Sequence, residues 1–508
     1  MLAKTLFLVV FFVVMIAVGI VTKKRANNVE NFVLGGRSVG PWLTAFAYGT
    51  SYFSAVVFVG YAGQFGWKFG VASTWIGIGN AVIGSLLAWM VLGRRTRVMT
   101  NHLNSKTMPD FFGKRYDSNK LKLVASAIIF IFLVPYTASI YNGLSRLFAM
   151  AFDIPFVICV IVMAALTGIY VILGGYMATA WNDFFQGIIM LFGICAVIAS
   201  VLAGQGGFTE ALNQLSAVES DAAATMGQQG AFISFFGADP LNLLWVIILT
   251  SLGTWGLPQM IHKFYAIKDE KAIKSGTVIS TVFALIIAGG SYFLGGFGRL
   301  FDNPALHNAD GSVIYDGIIP YMLSKTPDII IGIVIVLVLS ASMSTLASLV
   351  LTSSSTLTLD FISGTIVKNM SESKKMLVMR VFIIFFIILS VILAINPPTF
   401  IAQLMGISWG ALAGAFLAPF LYGLYWKRVT KAAVWASFIF GVGITVLNIF
   451  IPLFGSSIVA GSVAMIGGLI IVPIVSIITG KPNTEHINEI FECYDEKITV
   501  TKKRSLAE

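Results

Sequence analysis

The chain has 508 residues, 57% of them hydrophobic and only 11% charged, with a mean hydropathy of +0.88. Soluble domains carry about 25% charged residues, so the composition excludes a soluble enzyme and describes a polytopic membrane protein. The net charge of +10 belongs to loops flanking membrane helices rather than to a nucleic-acid surface. Cys159, Cys195 and Cys493 are too few for a disulfide framework.

Apolar runs of roughly 20 residues, the length needed to cross a bilayer, predict about thirteen transmembrane helices in an all-α fold. In chain order they lie near 3–22, 42–63, 71–93, 121–150, 154–174, 180–203, 233–258, 275–298, 329–359, 376–395, 399–425, 432–452 and 457–479. The first run is long for a signal-peptide core and lacks a small-residue cleavage site, so it reads as a retained helix.

The loops set the orientation. Basic residues follow the first run (Lys23, Lys24, Arg25, Arg37), the third (Arg94, Arg95, Arg97, Lys106, Lys114, Arg115) and the seventh (Lys263, Lys268, Lys271, Lys274). They also follow the ninth (Lys368, Lys374, Lys375) and the eleventh (Lys427, Arg428, Lys431), and they close the tail (Lys502, Lys503, Arg504). The loop from Gly204 to Leu241 holds Glu210, Glu219, Asp221 and Asp239 but no Lys or Arg. Thirteen crossings place every basic cluster on one side, which puts the N-terminus outside and the C-terminus in the cytoplasm of a cell-membrane protein.

Three of these runs carry residues that a plain membrane helix does not need. The second contains Tyr48-Gly49-Thr50-Ser51-Tyr52-Phe53-Ser54. A glycine among hydroxyls at membrane depth lets a helix unwind at Gly49 and frees carbonyls, which is tolerated only where the backbone lines a cavity or is buried. Close helix packing is the alternative. The seventh run is interrupted by Ser251-Leu252-Gly253-Thr254-Trp255-Gly256-Leu257-Pro258-Gln259, where Pro258 alone would give a kink. The ninth holds Ser340, Ser342, Ser344, Thr345 and Ser348. Ser344, Thr345 and the Ala341 carbonyl one turn earlier can approach one point, and hard cations prefer oxygen. Small residues packing against a neighbour are again the alternative.

The two interrupted runs are five crossings apart. An odd offset inverts one half relative to the other, so the spacing predicts a transporter of two inverted five-helix repeats with its site at the interruptions. The division is 1–40, first helix and cytoplasmic loop; 41–204, first repeat; 205–232, extracellular loop; 233–426, second repeat; 427–480, two further helices; and 481–508, cytoplasmic tail. Asp183, in Trp181-Asn182-Asp183, is a candidate ion-binding or proton-carrying carboxylate, with helix capping near the cytoplasmic start of the sixth run as the alternative. Arg146 sits where snorkelling explains it. The four histidines lack metal-ligand spacing and no phosphate-binding loop is present. No enzymatic activity is therefore expected, and an ion gradient is the simplest energy source.

Taken together, the chain resembles the sodium:solute symporter family, which includes sodium/proline, sialic acid and sodium/glucose transporters. The resemblance runs through Asn31-Phe32-Val33-Leu34-Gly35-Gly36-Arg37-Ser38, Gly40-Pro41 and Thr107-Met108-Pro109-Asp110-Phe111-Phe112. It continues through Gly174-Gly175, Trp181 and Asp183, Gly256 and Pro258 before His262-Lys263-Phe264, and Ala341 to Thr345.

The resemblance implies a LeuT-like fold and sodium as coupling ion. It places the main sodium site on the carbonyls of Thr50, Phe53 and Ala341 and the hydroxyls of Ser344 and Thr345. A second sodium site of some members would fall on Asp183, Ser344 and Ser348, but its remaining hydroxyl position is Ala347 here. Tyr52, Ser54, Tyr136, Thr254, Trp255 and Gln259 become substrate-pocket candidates.

Two departures bear on the solute. Proline-type members have aspartate where Tyr52 stands, and the arginine expected for sialic acid has no counterpart near Tyr136. The reading is a sodium-coupled importer of a small organic solute (amino acid, carboxylate or sugar-like). The alternatives are a proton-coupled symporter using Asp183, or a membrane sensor built on the same fold.

Overall fold

The computed structural model describes residues 2–22, 28–152, 154–367, 370–480 and 482–495. Lys23, Lys24, Arg25, Lys368 and the tail cluster Lys502, Lys503 and Arg504, used above for orientation, lie outside the described residues. Backbone groups carried into lipid must be satisfied internally, and the described chain is accordingly helical, with only two isolated bridges, Val39 to Ile267 and His307 to Val313.

Eleven helical stretches among the described residues are long and apolar enough to cross a membrane. The sequence predicts about thirteen, and two local features account for the difference. Leu2–Thr22 is helical throughout but counts only as the shorter apolar helix Leu8–Val18, and the second and third runs are joined as one stretch, Val56–His102. That stretch starts late because the second run is split.

Three breaks shape the interior. The helix Pro41–Tyr52 ends at Phe53, whose φ of −101° and ψ of 128° are extended, and helical structure resumes at Val56. Gly49 is not the point of unwinding. It stays helical, and a Cβ there would lie 2.4 Å from the Phe283 ring, so its role is close packing. Phe156–Gly204 turns at Gly175, where φ is 54° and ψ −147°. An L-residue is disfavoured in that conformation, and the turn separates the predicted fifth and sixth runs. In the seventh run Pro240–Gly253 stops, and Pro258–Tyr265 restarts with proline in its first turn, where a missing N–H costs nothing.

Burial sorts the helices by depth. The best apolar windows of Asp328–Ser363 and Ile401–Tyr425 are 83% and 89% buried, against 33% for Glu372–Ile395. A helix apolar all round is central, whereas Ile384, Ile388 and Ile392 leave a stripe on Glu372–Ile395 uncovered. At one end of the molecule Arg37 reaches Thr100, Ser105 and the Tyr265 carbonyl, and Arg97 reaches the Ile267 carbonyl at 2.5 Å. Arg94 pairs with Glu270 at 2.7 Å. At the other end Arg299 meets Asp221 at 2.5 Å, and Arg146, bonded to Asn142, lies 4.0 Å from Asp316.

Candidate functional site

The break after Tyr52 decides where backbone oxygens point. Phe53 N–H still donates to the Gly49 carbonyl at 3.3 Å, but the extended turn then takes later amides away from helical partners. Ala55 N–H donates to Ser342 Oγ at 3.2 Å instead. The carbonyls left over are met by the hydroxyl-rich helix Asp328–Thr356. Ser344 Oγ lies 3.0 Å from the Thr50 carbonyl and 3.1 Å from that of Ala341. Thr345 Oγ1 lies 3.2 Å from Thr50 O, 3.4 Å from Ser51 O, 3.2 Å from Phe53 O and 3.0 Å from Ala341 O.

The five oxygen donors implied by the family resemblance therefore converge, and the Ser51 carbonyl joins them. A hydroxyl has one proton to donate, so Thr345 cannot satisfy four carbonyls by hydrogen bonding. Such an arrangement holds more acceptor capacity than donors. All of these residues are buried, and the cage contains no carboxylate. It suits a hard monovalent cation better than calcium, whose sites are built around carboxylates. Among the described residues there is also no cluster of three or more His, Cys, Asp or Glu able to hold a metal ion.

Asp183 does not occupy a helix start. It lies within Gly175–Gly204, its side chain has no exposed surface, and Lys263 Nζ stands 3.7 Å from Oδ2. The capping alternative fails because the helix begins two turns earlier, at the Gly175 kink. Lys263 Nζ donates to Ser348 Oγ at 2.9 Å, and Ser348 Oγ is 2.9 Å from Ser51 Oγ. The three residues implied for a second cation thus divide: Ser344 belongs to the first cage, while Asp183 and Ser348 are tied to a lysine. Sequence reading places Lys263 after the seventh run, as a basic loop residue and as part of the family motif His262-Lys263-Phe264, and not as a partner of Asp183; the structure puts it in the helix Pro258–Tyr265 that restarts after the break.

The substrate candidates scatter over two places. Tyr52 and Tyr136 converge on Trp409, with ring centroids 6.0 and 5.9 Å away. A Cβ on Gly253 would lie 2.6 Å from the Trp409 ring, so glycine at the seventh break admits that indole. Tyr136 Oη and Trp409 Nε1 are buried without hydrogen-bond partners, an expensive state for polar groups unless a ligand meets them.

Other candidates are already engaged. Tyr52 Oη donates to the Thr250 carbonyl at 2.8 Å, Thr254 Oγ1 to Gly84 O at 3.1 Å and Trp255 Nε1 to Ile83 O at 2.9 Å. Ser54 Oγ accepts from Val56 N–H at 3.2 Å and so caps the restarting helix. Gln259, unpartnered at both polar atoms, sits elsewhere, lining a cavity of about 10 Å³ with Lys263, Ser348, Tyr176 and His262. Trp409 escaped the sequence reading. Its signal is Ser408-Trp409-Gly410, a polar and aromatic interruption of an apolar run like those in the second and seventh runs.

Residues 32–441 match the family described as Sodium:solute symporter family. The chain belongs to the sodium:solute symporter family. It is a multi-pass membrane transporter rather than an enzyme, and sodium is its coupling ion.

Among the family's characterised members, the chain is 28% identical over 440 residues to a sodium/proline symporter of Salmonella typhimurium, covering 84% of each chain. It is 28% identical to an osmoregulated proline transporter of Bacillus subtilis, covering 93% of this chain and 94% of the relative. A sodium/proline symporter of Staphylococcus aureus is 29% identical over 493 residues, covering 93% of this chain and 91% of the relative.

In structure, a sodium-coupled sialic acid symporter in a substrate-bound outward-open state superposes with a TM-score of 0.74 at 17% identity, covering 95% of this chain and 99% of the other. A nucleobase-cation-symport-1 family transporter in a closed conformation gives 0.53 at 13% identity, covering 91% and 98%. These similarities establish the LeuT-like fold of this symporter.

Proposed function

We propose that the protein imports a small neutral amino acid, with proline the leading candidate, together with sodium by alternating access. The observation that carries the sodium half is the convergence of Ser344 and Thr345 on the carbonyls of Thr50, Phe53 and Ala341. The names of the relatives support the amino-acid half. Tyr52, Tyr136 and Trp409 supply an apolar wall for a ring or short side chain.

In this reading, residues 41–204 and 233–426 are the inverted repeats, the basic end of the molecule faces the cytoplasm and the N-terminus lies outside. Sodium at the cage fastens the broken helix to Asp328–Thr356 and so favours the state that presents the solute pocket outward. Solute binding then completes the contact across the breaks, and the two repeats rock around it.

Uptake of labelled proline into proteoliposomes tests the reading, with separate sodium and proton gradients. Accumulation driven by the sodium gradient alone is expected. Uptake that follows the proton gradient and ignores sodium would instead assign the proton-coupled mechanism, and sodium-driven uptake of other solutes in preference to proline would replace the amino acid.

A further inference from the structure

We infer that the Lys263 ammonium acts as a built-in cation at the Asp183–Ser348 position, so that the transporter binds and moves one sodium ion per cycle. This inference rests on the sodium-coupled reading above. Three helices meet at the pair: Asp183 on Gly175–Gly204, Lys263 on Pro258–Tyr265 and Ser348 on Asp328–Thr356. All three side chains are buried.

The charges close without an outside ion. A buried carboxylate requires a countercharge, and among the described residues the cation within 4 Å of Asp183 is Lys263, at 3.7 Å. The ammonium also takes the Ser348 hydroxyl at 2.9 Å, the oxygen that a free cation would need. A sodium ion placed here would therefore face an ammonium across a carboxylate already neutralised. The adjoining cavity of about 10 Å³ has room for about one water molecule, which could hydrate the ammonium or the unpartnered Gln259 amide.

The pair is wired to the sodium cage. Ser348 Oγ is 2.9 Å from Ser51 Oγ, and the Ser51 carbonyl is 3.4 Å from Thr345 Oγ1. The tethered ammonium thus holds, on the far side of Ser51, the same broken helix that sodium holds at Thr50 and Phe53. A mobile second ion would have to be bound and released in every cycle. A tethered one keeps that helix attached to Asp183 throughout, and only the cage changes occupancy.

The test counts sodium directly. Equilibrium binding of radioactive sodium to purified wild-type protein in detergent is expected to saturate at one ion per chain, and sodium-dependent uptake to follow a Hill coefficient near one. Saturation at two ions overturns the inference while leaving sodium coupling intact. Loss of sodium binding altogether would instead refute the sodium reading on which it rests.

Lys263→Met leaves Asp183 without its partner and should raise the count to two, with a Hill coefficient above one. Asp183→Asn combined with Lys263→Met restores neutrality and should return it to one. If Lys263→Met does not fold, Lys263→Gln removes the same charge with a polar side chain and is read by the same count. A wild-type count of one that persists in folded Lys263→Met would show that the ammonium does not stand in for a cation, and would overturn the inference.

Discussion

Thr345→Val is the sharpest perturbation of the cage, because it exchanges a hydroxyl for a methyl group of nearly equal volume. In the wild type Oγ1 stands 3.0–3.4 Å from four carbonyls. Ser344 keeps its own contacts to Thr50 and Ala341 in the variant. One oxygen ligand is removed from a cation, and a dipole facing a charge is worth about 1.5–3 kcal/mol. The sodium dissociation constant should therefore rise roughly 10- to 150-fold.

Two assays read that change. The first is the sodium half-saturation of uptake at fixed solute. The second is the sodium-dependent rise in unfolding temperature of the detergent-solubilised protein. At a sodium concentration of 100 wild-type dissociation constants, ligand linkage stabilises the native state by about 2.7 kcal/mol, and a tenfold weaker site lowers this to about 1.4 kcal/mol. The variant also leaves backbone carbonyls with one donor fewer, which lowers stability without sodium. The diagnostic quantity is thus the difference made by sodium, not the absolute melting point. A folded Thr345→Val protein with wild-type sodium affinity would refute the cage as the ion site.

Further outcomes follow from other parts of the structure. Trp409→Phe keeps an aromatic ring against Tyr52 and Tyr136 but removes the unpartnered Nε1–H. If that group meets solute, KM for uptake should rise about tenfold, and an unchanged KM would remove Trp409 from the pocket. Gly49→Ala drives a Cβ to 2.4 Å from the Phe283 ring and should cost about 1–3 kcal/mol by overpacking. Detergent melting should show the loss, and Phe283→Leu in the same chain should recover part of it; no recovery would mean that the ring is not the obstacle.

At the surface, hydrogen bonds to Asp302 and to the Gly311 carbonyl raise the His307 pKa above the ordinary imidazole range. Its loop contact is therefore fully present below about pH 6.5 and is lost as pH rises through the raised folded value. Titration of the His307 ring by NMR should show this elevation, and Asp302→Asn should reduce it, leaving the part due to the Gly311 carbonyl.

The class of fold was readable because lipid imposes so narrow a choice. Long apolar runs, basic loops and two interrupted segments five crossings apart leave few architectures open. Ser344 and Thr345 were readable because hydroxyls in an apolar helix demand partners. The break itself was misplaced at Gly49 rather than Phe53, since a glycine that permits unwinding and one that permits a neighbouring ring to approach leave the same letter in the sequence. The pairing of Lys263 with Asp183, and the place of Trp409, were missed for a different reason. Each matters through residues far away in the chain, Asp183 for one and Tyr52 with Tyr136 for the other, and periodicity along a single run carries no record of such encounters.

Arg37 has a mechanical consequence. Its guanidinium spans the turn before Pro41–Tyr52, the Thr100 and Ser105 region and the Tyr265 carbonyl, and the backbone pairs Val39 with Ile267 beside it. The helices Pro41–Tyr52 and Pro258–Tyr265 are therefore clasped to each other, the start of one to the end of the other. Neither can swing away alone without rupturing several buried bonds at once. In a rocking transport cycle they are therefore expected to travel together, with the flexing at the extended residues Phe53 and Leu257, where helical backbone is already missing.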